Sequence, residues 1–213
     1  MSPVRVICVA VSLFALSFSC VAAPLAQHVV VIGVDGMTAK SVEKAATPNM
    51  HALMASGSYT RAAHAVRPTV SGPNWASILM GSEPATHGVV DNDWKLDKEH
   101  PFPTIFTAVR AANPEAVVVA AYEWGDFGRL FVDEDVTQRV SAIKAILEAD
   151  KSENAAAHYI ARQAAQLIQE KKPQLIFIHL DMIDHAGHSY TYDSEKYNTA
   201  IGEVDGLVGS IVK

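Results

Sequence analysis

The sequence predicts an α/β domain in which a mostly parallel sheet is sandwiched between helices. Three observations point there. His28–Val34, Ala116–Tyr122 and Leu175–Leu180 are unbroken apolar runs of strand length, the pattern of strands buried on both faces of a parallel sheet. Stretches with helical spacing alternate with these runs, and a strand-helix-strand order requires crossovers that lay helices on the sheet faces. Two of the three runs end at an acid, Asp35 and Asp181, where sheets of this kind collect functional groups.

At the start of the chain, residues 1–23 read as a secretory signal: Arg5 gives the positive start, Val6–Val21 the apolar stretch and Val21-Ala22-Ala23 a small-residue cleavage site. The domain then runs over 24–213 and the protein is expected to be secreted or periplasmic. Ala22 and Ala26 are rival boundaries, and membrane attachment is expected only if the segment stays uncleaved. Both cysteines, Cys8 and Cys20, lie in this segment, so the mature chain has neither a disulfide framework nor thiolate chemistry. Ser17-Phe18-Ser19 before Cys20 does not suit lipidation.

The first strand follows, then a helix opened by Thr47 as N-cap and Pro48 in the first turn, with Met50, Leu53 and Met54 facing inward and Gly57 as the stop. Ser71-Gly72-Pro73-Asn74 repeats that start signal before Trp75–Met80, and Gly81 ends it. Asp91–Pro101 reads as a polar surface loop, Phe102–Ala112 as a helix and Gly125–Val136 as irregular. Ser152–Lys172 carries Ala156, Ile160, Ala164, Leu167 and Ile168 at helical spacing, and a last helix ends in Gly206–Val212. No internal repeat, low-complexity tract or Pro/Ser-rich linker divides the chain.

Composition agrees with one packed core. The chain has 213 residues, 49% hydrophobic and 19% charged, which excludes disorder, collagen and coiled coil. Against 17 Lys+Arg stand 23 Asp+Glu, a net charge of -6, so a general grip on nucleic acid is not expected.

Three groups of residues can carry chemistry. Asp184 and His188 are four apart, so one helical turn or a compact loop can aim a carboxylate oxygen and an imidazole nitrogen at one cation. That donor mix suits zinc or, with more oxygen ligands, manganese; the alternative is a solvated turn rich in Asp and His. Asp35, at a strand end, is either a second ligand or a turn cap with Gly36. Ser71 lies at or beside a helix amino end, where backbone N–H groups and the dipole favour an anion such as phosphate. It has no obvious general base, which a divalent metal would replace, and Asn74 can donate its amide to a phosphoryl oxygen. An ordinary N-cap serine is the alternative. His87 and Asn92 read as turn residues, while His64, His100, His158 and His179 have no partner at useful spacing.

Taken together, these residues resemble the alkaline phosphatase superfamily, in its nucleotide pyrophosphatase/phosphodiesterase branch. The match is carried by VVVIGVDGM at 29–37, TPNMHALMASG at 47–57, RPTVSGPNWASILMGSEPATHGVVDN at 67–92 and DMIDHAGH at 181–188. The resemblance implies an alkaline-phosphatase-like fold and metal-dependent hydrolysis of a small-molecule phosphate ester, a phosphodiester or pyrophosphate, through a phospho-serine. It implies that Asp35 and Ser71 hold one divalent cation and Asp184 and His188 another, zinc or alternatively manganese. Ser71 would be the nucleophile, with Thr69 as its rival, and Asn74 would contact the phosphoryl group. Trp75 stands where the sulfatase S/C-x-P-x-R pattern needs arginine, which argues against a sulfatase. Relatives supply further ligands after a later strand, an Asp-His pair and a distant His, so the 213 residues are expected to be the amino-terminal part of a longer catalytic domain, lacking the C-terminal part. A phosphomonoesterase with the same site, and a non-catalytic phosphate- or metal-binding remnant, are the alternatives.

Overall fold

The computed structural model describes residues 26–95, 102–142 and 154–213. The signal segment, the later part of the Asp91–Pro101 loop and the first residues of the Ser152–Lys172 stretch lie outside them. Four strands form one parallel sheet: β1 (Val29–Val34), β2 (Val118–Tyr122), β3 (Gln138–Ser141) and β4 (Leu175–Leu180), in the order β1-β4-β2-β3. The helices among the described residues are α1 (Ala39–Lys44), α2 (Pro48–Ser56), α3 (Ser71–Met80), α4 (Pro84–His87), α5 (Ile105–Ala112), α6 (Gly125–Phe131), α7 (Ala155–Lys171), α8 (Met182–Tyr190) and α9 (Glu195–Ile211).

Side chains of a strand alternate between faces, and β4 uses both. Ile176, Ile178 and Leu180 join the cluster containing Ile160, Ala164, Ile201 and Val204 of α7 and α9. Leu175 and Phe177 join Trp75, Leu79, Phe106 and Phe127 of α3, α5 and α6. The sheet is therefore a middle layer between two helical layers, as its apolar strands predict.

Four details depart from expectation. β1 is not buried on both faces: it pairs with β4 alone among the described residues, and Val29 and Val30 are 43% and 42% exposed. Gly125–Phe131 is helical, because Phe127 with Leu130 and Phe131 gives a buried i, i+3, i+4 stripe despite two glycines. β3 is a short polar edge strand in which only Val140 is buried, too weak a pattern to read from sequence. In α2, Met50 is buried but Leu53 is 44% exposed, so the inward stripe is narrower than its spacing suggested.

The start of α2 is also built differently. The Thr47 hydroxyl donates to Val42 O at 2.9 Å and makes no cap to the helix backbone. The buried Asp205 carboxylate of α9 takes over, accepting from Asn49 N at 3.1 Å, Asn49 Nδ2 at 2.8 Å and Met50 N at 2.8 Å. Negative charge at a helix amino end is favourable, and the three donors compensate its loss of water. Truncating it leaves the buried Met50 N–H and the half-buried Asn49 donors unpaired. Asp205→Ala is expected to lower folding stability by about 2–4 kcal/mol, measured by urea denaturation.

Candidate functional site

In the β1–β4 pairing Val34 stands opposite Leu180, so the residues that follow, Asp35 and Asp181, leave the sheet side by side. Asp35 N donates to Leu180 O at 2.9 Å, which continues the pairing one step past the strands. The chain then turns at Gly36, whose φ is 70° and whose place would put a Cβ 2.4 Å from Asp184 Cα. Only glycine allows both the left-handed turn and that approach to α8. Tyr197 of α9 pins the turn by donating its hydroxyl to Gly36 O at 2.7 Å.

From the other layer, Trp75 of α3 packs over Gly33, where a Cβ would lie 2.5 Å from the indole. Its Nε1–H donates to Asp35 Oδ2 at 2.8 Å, while Asp35 Oδ1 accepts from Gly36 N at 2.9 Å. Burial would raise the Asp35 carboxyl, but the neighbouring His179 ring, the Trp75 N–H and the Ser71 hydroxyl outweigh it and hold the group below its ordinary value. Asp35 is thus a fixed anion beside Ser71.

Ser71 is the first residue of α3 and Val70 its cap, so the serine is not an N-cap by side chain. Gly72 N donates to Asn92 Oδ1 at 2.7 Å, and Pro73 has no N–H, so the helix end offers an anion fewer free donors than its position implied. Asn74 accepts from Val66 N at 2.8 Å and donates to Val70 O at 2.8 Å and Pro68 O at 3.1 Å, tying the preceding loop to the helix. Arg129 holds the loop bearing Asn92, donating to Asn92 O and Trp94 O at 2.7 Å each.

Asp35, Ser71, Asn74 and Asp184 line one open cleft of about 580 Å³, together with Thr69, His64 and Tyr192. His188 does not line it; it sits one turn along α8 with Nε2 3.3 Å from Asp184 Oδ2. The helix predicted as one option for this pair is the one found.

Sequence reasoning missed His179 and Glu123, and marked Asp181 at its strand end without assigning it to the site. His179, set aside as partnerless, is fully buried with Nε2 3.7 Å from Asp35 Oδ2. Its partner lies 144 residues away in sequence, and only the register Gly33↔His179 brings them together. The signal available was alternation, since 175, 177 and 179 share a face. Asp181 lies beside the pair, and burial pushes its carboxyl up to about 6; His179 opposes that rise, while Asp35, Glu123 and Asp184 reinforce it. Glu123, raised by burial, accepts from Asp181 N at 2.6 Å and Met182 N at 3.3 Å, and so caps α8 from the end of β2. Asp184 is raised as well, first by burial and then by Asp35.

A serine-histidine pair, Ser77 with His87, is structural. His87 is buried, its Nδ1 accepts from Val89 N at 3.0 Å, and Nε2 therefore carries the proton shared with Ser77 Oγ at 3.0 Å. That ring has no lone pair left to activate the serine.

Comparison with known proteins bears on this site. The family model for type I phosphodiesterase / nucleotide pyrophosphatase matches residues 29–213. Human ectonucleotide pyrophosphatase/phosphodiesterase family member 1 is 27% identical over 176 residues, covering 78% of this chain and 19% of that protein. An uncharacterised pyrophosphatase/phosphodiesterase of Schizosaccharomyces pombe is 24% identical, covering 87% of this chain and 40% of its own length. Murine ectonucleotide pyrophosphatase / phosphodiesterase 5, an inactive form in complex with AMP, superposes with a TM-score of 0.68 at 20% identity over 88% of this chain and 52% of that one. Phosphonoacetate hydrolase from Sinorhizobium meliloti gives 0.66 at 21% identity over 87% and 53%. The structural likeness establishes the fold, and the chain spans about half of these solved relatives.

The raised acids set a pH dependence. Asp181, Asp184 and Glu123 keep their protons in the folded state to higher pH than in the unfolded state, so the folded state binds more protons above the ordinary carboxylate range, for Asp181 up to about 6. Without divalent cations, stability is therefore expected to fall as pH rises through that window. Urea unfolding at about pH 4.5 and pH 6.5 with chelator present should show a smaller loss in Asp181→Asn than in the unaltered protein.

Proposed function

Because the chain belongs to the type I phosphodiesterase / nucleotide pyrophosphatase family, we propose that it hydrolyses phosphodiester or pyrophosphate bonds of small phosphate esters with Ser71 as nucleophile. The observation that carries the reading is the meeting of Ser71 and Asp35 in one cleft with Asp184. No Lys or Arg among the described residues lines that cleft, so an anionic phosphate would meet the Asp35 and Asp184 carboxylates with no Lys or Arg charge to offset them. Such a cleft fits a phosphate only with divalent cations bound, and the oxygen and nitrogen donors present suit zinc or manganese.

Asp35 with Ser71 would hold one cation and Asp184 with His188 the other. Bound there, they supply neutralisation of phosphoryl charge and a lowered pKa for the serine hydroxyl. The chain's own part is positional. Trp75 and Gly36 fix Asp35, the α3 end presents Ser71, and the hydroxyl oxygen displaces the ester oxygen to give a phospho-serine that water then releases. Asn74 is the phosphoryl donor proposed from sequence, yet its amide hydrogens already serve loop carbonyls, so that contact requires the 66–70 loop to yield. Asn92 brings a second amide to the same helix end, its oxygen accepting from Gly72 N, and is the alternative donor.

The AMP in the murine relative's structure supports a nucleotide-sized ester as ligand. Export through residues 1–23 would place the activity outside the cytoplasm. No helix among the described residues is long and apolar enough to cross a membrane.

Hydrolysis of bis-p-nitrophenyl phosphate should require added zinc or manganese, stop with EDTA, and fall by more than about 10³-fold in Ser71→Ala. Steady-state rates check this, and activity surviving that substitution would sink the assignment. Rates on p-nitrophenyl phosphate in the same assay separate a diesterase from a monoesterase with the same site.

A further inference from the structure

We propose that His179 and Asp181 join Asp35 in a divalent-cation site at the carboxyl ends of β1 and β4, apart from the Asp184–His188 pair. Each residue offers one ligand atom, and the three atoms lie within 4.8 Å of one another. Ligands on one zinc, at bonds of about 2.0–2.2 Å, stand roughly 3–3.5 Å apart, so a closure of about one ångström completes the set. One imidazole nitrogen with two carboxylates is a donor mix and a charge that suit a cation of the zinc class.

The buried histidine singles out this cluster from an ordinary group of acids. Neither nitrogen of the His179 ring has a hydrogen-bond partner among the described residues, although the side chain is fully buried. Desolvating such nitrogens without a partner is unfavourable, and a metal bond is one of the few interactions that answers it. A simple hydrogen bond to Asp35 does not, because the 3.7 Å gap is outside hydrogen-bond range. It would also leave Asp181 beside Asp35, Glu123 and Asp184 with its repulsions unrelieved.

The surroundings hold the three groups in place. Trp75, Phe127 and Trp124 enclose the His179 ring at centroid distances of 4.7, 4.9 and 6.2 Å. The Trp75 N–H orients Asp35, and Glu123 anchors the Asp181 backbone, the kind of outer contact that fixes metal ligands. The inference goes beyond the hydrolytic reading and stands without it, since binding here needs no turnover, although Asp35 is common to both.

The test uses the full chain carrying Asp184→Asn and His188→Gln, which removes the other pair. Cobalt(II) titration followed by visible absorption, with zinc competition against a chromophoric chelator, should still show one bound equivalent. Adding His179→Gln should weaken it by about tenfold or more and change the absorption band. Equal affinity and an unchanged band with and without His179 overturn the proposal, because Asp35 and Ser71 would then suffice. Should His179→Gln fail to fold by circular dichroism, crystals of the unaltered protein soaked in zinc decide it. An anomalous peak about 2.1 Å from a His179 ring nitrogen supports the site; no peak, or one that leaves the ring unbound, overturns it. Hydrolysis enters neither readout, so failure of the Ser71 assignment remains distinguishable.

Discussion

The parallel pairing of β1 with β4 is the constraint on which the rest depends. Its register sets Val34 opposite Leu180 and Gly33 opposite His179, and so gathers Asp35, His179 and Asp181 from distant parts of the chain at one edge of the sheet. A slip by one residue would reverse every side chain of β4, sending His179 into the aliphatic layer of α7 and α9 and Phe177 with it. The two apolar clusters therefore enforce the position of the polar groups. Core packing and site geometry are consequences of one alignment.

Trp75 couples the second layer to that alignment. Its ring needs the bare backbone of Gly33, meets Phe127 and Phe177 edge to face, and ends in the N–H that Asp35 accepts. The helix carrying Trp75 also begins with Ser71, so the contact that completes the apolar core fixes the distance between serine and carboxylate. An α3 free to slide would separate them.

Much of this was legible in the sequence, and the reason is local. The apolar strands, the breaks at Gly57 and Gly81, and the acids after β1 and β4 are written in adjacent residues, and so are the local patterns of Asp35, Ser71, Asn74 and Asp184, which line one cleft. What escaped depends on distance in sequence. His179 looked like a spare histidine within an apolar strand because Asp35 is its neighbour only through β1, and Glu123 caps a helix that starts 59 residues later. The cap of α2 failed for the same reason, with Thr47 supplying the local pattern and Asp205 of α9 the actual bond. Asn92 was read as a turn residue and is one, yet the turn delivers its oxygen to Gly72.

The concentration of acids at this edge would ordinarily be unfavourable, since burial and mutual repulsion both oppose ionising Asp181, Asp184 and Glu123. The fold offsets part of the penalty with helix amino ends: Glu123 receives the first N–H groups of α8, and Asp184 sits in that helix's first turn. Asp35 has the indole, the Gly36 N–H and the serine hydroxyl. Those devices stabilise the anions one at a time and leave the repulsion among them. Protons or bound cations can neutralise that remainder, and no Lys or Arg among the described residues lines the cleft to do so. On the proposed function, a surface so arranged would bind phosphate poorly by itself and better once cations are present, which would make metal loading a precondition of substrate binding.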